Sequence, residues 1–500
     1  MTLTSFSWIF SATALHIAAV IFVSYHCLIR RREANSALLW IFVSWSFPLI
    51  GFILFVFFGL GKPSQKSWEK YYADELLQNE RRLREAGRKE LVYWLKVKNS
   101  AIEFPEKMDD PAARSLNTII PALVSNAPPL LQGNHISMLI SGDEAYPRML
   151  EKIAEARNHI HLQSFIIAND KIGRRFMDAL ATKARQGVRV KVLYDRLGST
   201  KARWSGMFRK YQKIPNLRLG AWSQLSLFRR EFQVNFRNHR KSLVIDGREA
   251  FVGGINIASQ NVTDKKSTAI RDYHFHVQGP VVHDLQYVFL RDWHFMTEDS
   301  PADLLTPNHF PQLQHAGKST VRVVNSGPTI TESEAIANVF FSAITAARDR
   351  VMIITPYFVP FRDILQALRG AALRGVKVQV VVPRKNNHFY AGWAGRSVYE
   401  ELLRAGVEVY EREPPFMHAK AMVVDQSTAL IGTANFDANS LRLNYETNLA
   451  VFDQQLIYEI ASAGREEIAA STRIELQEWL QRPTHRILLE NFCGLMSPIL

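Results

Sequence analysis

Two stretches 179 residues apart decide how this chain is read: His239-Arg240-Lys241-Ser242-Leu243-Val244-Ile245-Asp246 and His418-Ala419-Lys420-Ala421-Met422-Val423-Val424-Asp425. The first runs on to Gly253-Gly254-Ile255-Asn256 and the second to Gly432-Thr433-Ala434-Asn435. In both, Lys follows His by two positions, Asp by seven and Asn by seventeen. A single His-x-Lys-x4-Asp arises by chance in a chain this long with an expectation on the order of a few hundredths. Two copies with matched offsets are a repeat.

The repetition extends outward. Ala156-Arg157-Asn158-His159-Ile160 returns loosely as Ala347-Arg348-Asp349-Arg350-Val351, and Gly187-Val188-Arg189-Val190-Lys191-Val192 as Gly375-Val376-Lys377-Val378-Gln379-Val380. Each copy reads helix, strand, helix, Gly, strand, with helices over Arg174 to Arg185 and Ile364 to Leu373. That is the pattern of an α/β sheet with covering helices. Two homologous halves are expected, over 136–308 and 318–500.

His and Lys two apart on a strand share a face, so one imidazole and one ammonium can address one anion. The Asp, an odd number of positions on, does not share it; Asp246, before Gly247, and Asp425 read as turn residues that hold local backbone. The returning chain brings Asn256 and Asn435 back beside the histidines. The small residues Gly253, Gly254, Gly432 and Thr433 leave room for an oxyanion at the backbone N–H groups, which makes Gly254 and Thr433 candidate phosphate contacts with the two asparagines. The acceptors that orient the imidazoles must come from elsewhere. Asp272 in Arg271-Asp272-Tyr273-His274 and Glu446 in Asn444-Tyr445-Glu446-Thr447 are the candidates, carboxylates set in otherwise apolar strands.

Composition bounds the function. Five hundred residues with 61 Lys+Arg against 47 Asp+Glu carry a net charge of +14, which asks for an anionic partner. Cys27 and Cys493 stand at opposite ends, which excludes a disulfide framework and a Cys-based zinc cluster. No His/Cys/Asp/Glu cluster has metal-ligand spacing, so neither metal nor cofactor is expected.

From Met1 to Ile29 there is no charged side chain, and a second uncharged run follows the break at Arg30 to Glu33, from Ala34 through Pro48 to Gly61. Two apolar runs joined by a short basic loop predict a transmembrane hairpin over 1–61. Residues 62–135 read as an amphipathic or connecting region. Arg30, Arg31 and Arg32 balance Lys62, Lys66 and Lys70 across the second span, so positive-inside counting does not orient the hairpin. The missing disulfide framework places the globular part on the cytoplasmic side.

The charge is concentrated. Ten basic residues and one acid lie between Thr200 and Arg240, +9 of the +14. Large aromatics interleave them. Beside a membrane hairpin this reads as a segment lying on anionic lipid, with Trp204, Arg209, Lys210, Trp222, Arg229 and Arg230 as membrane-interface residues.

The doubled motif resembles the phospholipase D superfamily. Over nearly its full length the chain resembles bacterial cardiolipin synthases, through Arg31-Arg32 to Gly59 in the hairpin, Thr355-Pro356-Tyr357-Phe358-Val359-Pro360, Pro383-Arg384-Lys385-Asn386-Asn387 and the terminal Arg482-Pro483 and Ser497-Pro498. Gly254 departs from the Ser of many members. The resemblance implies two phospholipase D-like α-β-α sandwich halves forming one catalytic unit, with His239, Lys241, Asp246, His418, Lys420 and Asp425 as the catalytic set. It further implies transfer of a phosphatidyl group between two phosphatidylglycerol molecules through a phosphohistidine, in a bacterial inner membrane, with anionic lipids and no nucleic acid as partners. His239 is then the nucleophile and His418 the acid/base, or the reverse. A hydrolytic phospholipase D and a phosphatidylserine synthase-like transferase are the alternatives, and the oligomeric state stays open.

Overall fold

A computed structural model describes residues 3–29, 34–56, 65–87, 111–123, 128–222, 237–263, 269–329 and 332–495. The chain divides into two compact units, Met1–Trp68 and Glu69–Leu500.

In the first unit Leu3–Ile29 is one continuous helix. Its Ser11–Ile29 portion, of mean hydropathy 1.8, is the one helix among the described residues long and apolar enough to cross a membrane. The second expected span is interrupted. A helix over Ala34–Ser46 ends before Phe47-Pro48-Leu49, and helix resumes at Ile50–Leu54. Pro48 has no N–H to continue the ladder and disfavours helical backbone in the residue before it, while Leu49 takes the turn at φ 60°. The 13 residues before the break reach only about 20 Å, against a hydrocarbon core of about 30 Å. The break is nonetheless packed. A Cβ on Gly51 would meet the Val43 carbonyl, and Phe55 is buried with its ring edge-on to Trp40 and His26.

The second unit is built on a mixed sheet of fifteen strands. From one edge the order is Leu217–Trp222, Arg189–Asp195, His159–Ser164, Ser242–Ile245, Glu249–Gly253, Tyr273–Gln278 and Leu131–Ile140. It continues through Ser319–Ser326, Glu446–Val451, Thr428–Gly432, Ala421–Val424, Arg350–Ile354, Lys377–Pro383, Glu408–Arg412 and Ser471–Arg473. The first seven strands are matched, in mirror order, by the next seven. The outer three of each set pair in parallel and the inner ones antiparallel. The sets join where Leu131–Ile140 pairs antiparallel with Ser319–Ser326, with a register shift between Leu131 and Asn134. The strand that opens the first set therefore starts at Leu131, ahead of the expected boundary at 136.

Period-two alternation places the motif strands. Leu243 and Ile245 pack under the helices Ser141–Glu155 and Lys171–Arg185, while Val244 between them packs on the opposite face with the helix Val282–Thr297. Val351 and Ile353 likewise face the helices Ala335–Ala346 and Arg362–Leu373, with Met352 and Ile354 on the side of Gln454–Ala469. Both faces are covered, which is why these strands read as nearly continuous apolar runs. Within the expected connector, the helix Gln65–Gly87 carries Lys70 and Asp74, and Pro111–Leu123 buries Leu116 and Ile120 against Ile336 and Phe340.

Candidate active site

Each motif enters the sheet beside a strand from the other half of the chain. Asn238 bridges in parallel to Tyr445, and the His239 N–H donates to the Tyr445 carbonyl at 3.0 Å. Phe416–Met417 pairs in parallel with Ile270–Arg271, and the His418 N–H donates to the Arg271 carbonyl at 2.7 Å. One residue further along each ladder, Glu446 lies beside His239 and Asp272 beside His418. His239 Nδ1 is 2.9 and 3.1 Å from the two Glu446 oxygens, and His418 Nδ1 is 2.6 Å from Asp272 Oδ2. Both expected carboxylates are thus at the imidazoles, each serving the histidine of the opposite half.

The two imidazoles converge on one cavity of about 430 Å³, lined also by Asn256, Asn435, Phe165, Tyr357, His388 and Asp437. Burial, with Lys241 adding to it against Glu446, holds the His239 pKa below its usual value. Burial and the Lys420 ammonium bring His418 down to about 4. Burial opposes ionisation of the carboxylates, but Lys420 and His418 outweigh it at Asp272, and His239 and Lys241 at Glu446, so both stay below the usual carboxylate range. An ionised carboxylate only accepts hydrogen bonds, which assigns the proton of each imidazole to Nδ1 and leaves the Nε2 lone pair as its reactive end.

The lysines lie beneath the imidazoles and do not line the cavity. Lys241 Nζ donates to the His239 carbonyl at 2.6 Å, and Lys420 Nζ to the His418 carbonyl while standing 2.8 Å from His418 Nδ1. Burial lowers Lys241 to about 7 and Lys420 to about 8. Asn256 accepts the Ile166 N–H through Oδ1 at 3.1 Å, which leaves its amide NH2 as a donor for the cavity. Asn435 donates to Ser440 Oγ at 3.1 Å.

Four expectations need correction. Asp246 and Asp425 take no part in the cavity. At φ 53° and 52° they turn the chain, and their carboxylates accept the N–H groups of Arg157, Asn158 and His159 and of Arg348, Asp349 and Arg350. They staple the motif strand to its neighbour and are not catalytic groups. Gly254 and Thr433 do not offer their amides to a phosphate: Gly254 N–H donates to the Tyr273 carbonyl, and Thr433 N–H to Asn448 Oδ1 and the Thr447 carbonyl. Both serve the carboxylates instead. A Cβ on Gly254 would stand 2.1 Å from Asp272 Oδ1, and the Thr433 hydroxyl donates to Glu446 Oε2 at 2.5 Å.

The basic segment is also less of a surface than its composition implies. Trp222 is 3% exposed, edge-on to Tyr445 at 5.0 Å, and cannot reach an interface. Arg240 is buried in an ionic network, held by Asp292 at 2.8 Å, which in turn takes Gln163, Asn238 and Lys70. Lys210 pairs with Asp178 and Arg218 with Asp299. Trp204 is 78% exposed, with Arg209 and Lys210 on the surface beside it. Arg229 and Arg230 lie outside the described residues.

Sequence reading assigned no role to Tyr357, Asn387, His388 or Asp437. The Tyr357 hydroxyl donates to Asn387 at 2.8 Å and its ring stands 6.3 Å from His418. The stretches holding Tyr357 and Asn387 stood out as family-like, yet nothing in their spacing pointed at a pocket 60 residues further along. Among the described residues no group of three or more His, Cys, Asp or Glu is arranged to hold a metal ion.

A doubled mixed sheet carrying two His-Lys motifs on one cavity is the architecture of the phospholipase D superfamily. Residues 149–293 and 340–465 match the family described as cardiolipin synthase, PLD-like domain, and residues 15–59 match the phospholipase D-nuclease N-terminal family. The chain is 33% identical to the major cardiolipin synthase ClsA of Bacillus subtilis (strain 168), covering 94% of this chain and 95% of that protein. It is 33% identical to the cardiolipin synthase of Geobacillus kaustophilus (strain HTA426), covering 98% and 93%. The chain belongs to the bacterial cardiolipin synthase family. Its fold is shared with the phosphatidylserine synthase of Haemophilus influenzae Rd KW20, at a TM-score of 0.59 and 17% identity over 78% of this chain and all of that one.

Proposed function

We propose that this protein makes cardiolipin in a membrane, moving the phosphatidyl group of one phosphatidylglycerol to a second and releasing glycerol. The observation that carries the reading is the pair of crossed imidazole–carboxylate contacts on one cavity. His239 Nε2 attacks phosphorus; the N–P bond forms, the bond from phosphorus to the glycerol oxygen breaks, and that oxygen takes a proton from His418. A hydroxyl of the second phosphatidylglycerol then attacks, losing its proton to His418 as the N–P bond breaks, and His239 is regenerated.

The surroundings favour this division of labour. Glu446 meets His239 with both oxygens and steadies the positive charge of a phosphorylated imidazole. Lys420 beside His418 makes its imidazolium a readier proton donor. The bound phosphodiester's charge opposes that of Lys420 and lets His418 protonate. The exchanged assignment has the low pKa of free His418 in its favour, since the neutral form is the nucleophile. Asn256 and Asn435 line the cavity as donors for the nonbridging oxygens, while Lys241 and Lys420, beneath the imidazoles, contribute positive charge at longer range.

The matched strand sets are read as a duplicated half, α-β-α in each copy. Leu3–Ile29 with the kinked Ala34–Ser46 and Ile50–Leu54 helices is read as a membrane hairpin, with the catalytic unit on the cytoplasmic side of a bacterial inner membrane. Trp204, Arg209 and Lys210, with Arg229 and Arg230, form the contact with anionic lipid. The purified protein, given phosphatidylglycerol vesicles, should yield cardiolipin and glycerol. Phosphatidic acid and glycerol as the only products would establish the hydrolase instead.

A further inference from the structure

The cavity is close to two-fold: His239 matches His418, Asn256 matches Asn435, and Asp272 and Glu446 play one part. Nineteen residues after each histidine the match fails. The first half has Ala258, whose backbone is taken up by the Tyr146 hydroxyl; the second has Asp437, which lines the cavity.

Asp437 is 6% exposed, and its Oδ1 accepts the Ser440 N–H at 2.8 Å. The Asn435 side chain is a second hydrogen-bonding neighbour. Among the described residues no cation stands within ion-pair distance of it; the nearest positive influence is Lys420, beneath His418. Burial and Glu446 raise its pKa to about 7. Its neighbours along the wall are neutral and polar, Asn439, Ser440 and Asn444.

A buried carboxylate is out of place where two anionic phosphodiesters must enter, since it opposes their charge. What a carboxyl held at one oxygen does accept is a hydroxyl, and a pair of hydroxyls on adjacent carbons suits its second oxygen and the Asn435 and Ser440 side chains together. A transfer between two copies of one lipid also needs the donor and acceptor sides to differ, and Asp437 is where they do.

We propose that Asp437, with Asn435 and Ser440, forms a hydroxyl-binding subsite on the His418 side of the cavity that takes the vicinal diol of a glycerol headgroup and selects it over water and simple alcohols as acceptor. This rests on the reading that His418 serves the acceptor oxygen. Diol binding places the attacking hydroxyl beside His418 Nε2, and its proton passes there as the new O–P bond replaces the N–P bond.

Partition of the common phosphoenzyme tests the subsite apart from the donor step. The full-length protein in mixed micelles of phosphatidylglycerol receives equimolar radiolabelled glycerol and 1-propanol, and the labelled phosphatidylglycerol and phosphatidylpropanol are counted. The native enzyme should favour glycerol on the order of ten-fold, and Asp437→Ala should bring the ratio near one while a phosphorylated enzyme still forms. Asp437→Asn, which keeps the volume and one acceptor oxygen, should fall between them and serves as the variant to score if Asp437→Ala does not fold. An unchanged ratio in whichever variant forms product overturns the subsite. Absence of any phosphoenzyme in the native protein would instead strike at the transfer chemistry itself.

Discussion

Glu446 belongs to the second half of the chain, yet its carboxylate grips Nδ1 of His239 in the first, at 2.9 Å. The converse holds for Asp272 and His418. Neither strand set supplies both an imidazole and the carboxylate that meets it, so the seam between the sets runs through the proposed site.

Removing the acceptor should therefore damage chemistry in the opposite motif. Glu446→Gln leaves the shape and takes away the charge that fixes the His239 tautomer, and a loss of two to four orders of magnitude in kcat is expected on the order of triad precedents. Thr433→Val removes the hydroxyl donor to Glu446 and should cost roughly five- to ten-fold in kcat. Steady-state kinetics with an unchanged circular dichroism spectrum checks both; full activity in Glu446→Gln would contradict the crossed pairing.

The two histidines are expected to act as one unit. His239→Ala and His418→Ala should each reduce turnover by at least ~10³, and the double variant should be little worse than either. Mass spectrometry of phosphorylated peptides from a quenched reaction should place the phosphoryl linkage on His239. A linkage on His418 would exchange the roles.

The pH profile of kcat/KM should be a bell. Burial lowers the His239 pKa, so the neutral imidazole survives to below pH 6.5 and activity falls only as pH drops through that lowered value. On the alkaline side Lys420, at about 8, loses its charge as pH rises through that value. Lys420→Arg stays charged and should move the alkaline limb upward by more than one pH unit, with a lower maximum. A limb that does not move would show that Lys420 does not set it.

Asp292 is buried with Arg240, Lys70, Asn238 and Gln163 as its partners, and the two cations hold its pKa at about 2. Asp292→Asn removes the nearer of the two carboxylates that hold Arg240, leaving Glu332 at 3.4 Å, and should cost about 3 kcal/mol, read as a fall in urea midpoint. Because the folded pKa lies below the usual 3.8, the native pair's contribution is present above that value and fades as pH falls towards 2. The difference between native and variant should narrow over the same window.

At the surface, Trp204→Ala combined with Arg209→Gln should raise the apparent KM for phosphatidylglycerol in vesicles several-fold at low salt, through weaker contact with anionic lipid. The effect should shrink at 0.5 M salt as screening shortens the range of the charge. An unchanged KM at low salt would remove this segment from the membrane contact.

How much was legible follows from what each signal depends on. Strand alternation and the offsets within each motif are local, so the motif strands, the buried sheet and the imidazole–lysine pairing could be read along the chain. Asp246 and Asp425 could be read as turn residues for the same reason, and only the family pattern made them look catalytic. The second apolar run follows from composition, which does not register what Pro48 does to a helix. A run of basic and aromatic residues looks alike whether it lies on lipid or is threaded through a core, which is why the sequence places Trp222 at an interface although the fold buries it.

By itself, then, the sequence determined the mixed α/β class, the two motif histidines, and two carboxylates as their candidate partners, because each is written in residue type and short-range spacing. Only the tertiary structure decided which carboxylate meets which histidine. That choice depends on two parallel pairings between distant segments, Asn238 with Tyr445 and Met417 with Arg271, and pairing across 207 and 146 residues is settled only when the chain is folded. Within each set, antiparallel pairing of neighbouring strands places Gly254 against Asp272 and Thr433 against Glu446, because a side chain's role is set by what the fold brings within three ångströms of it.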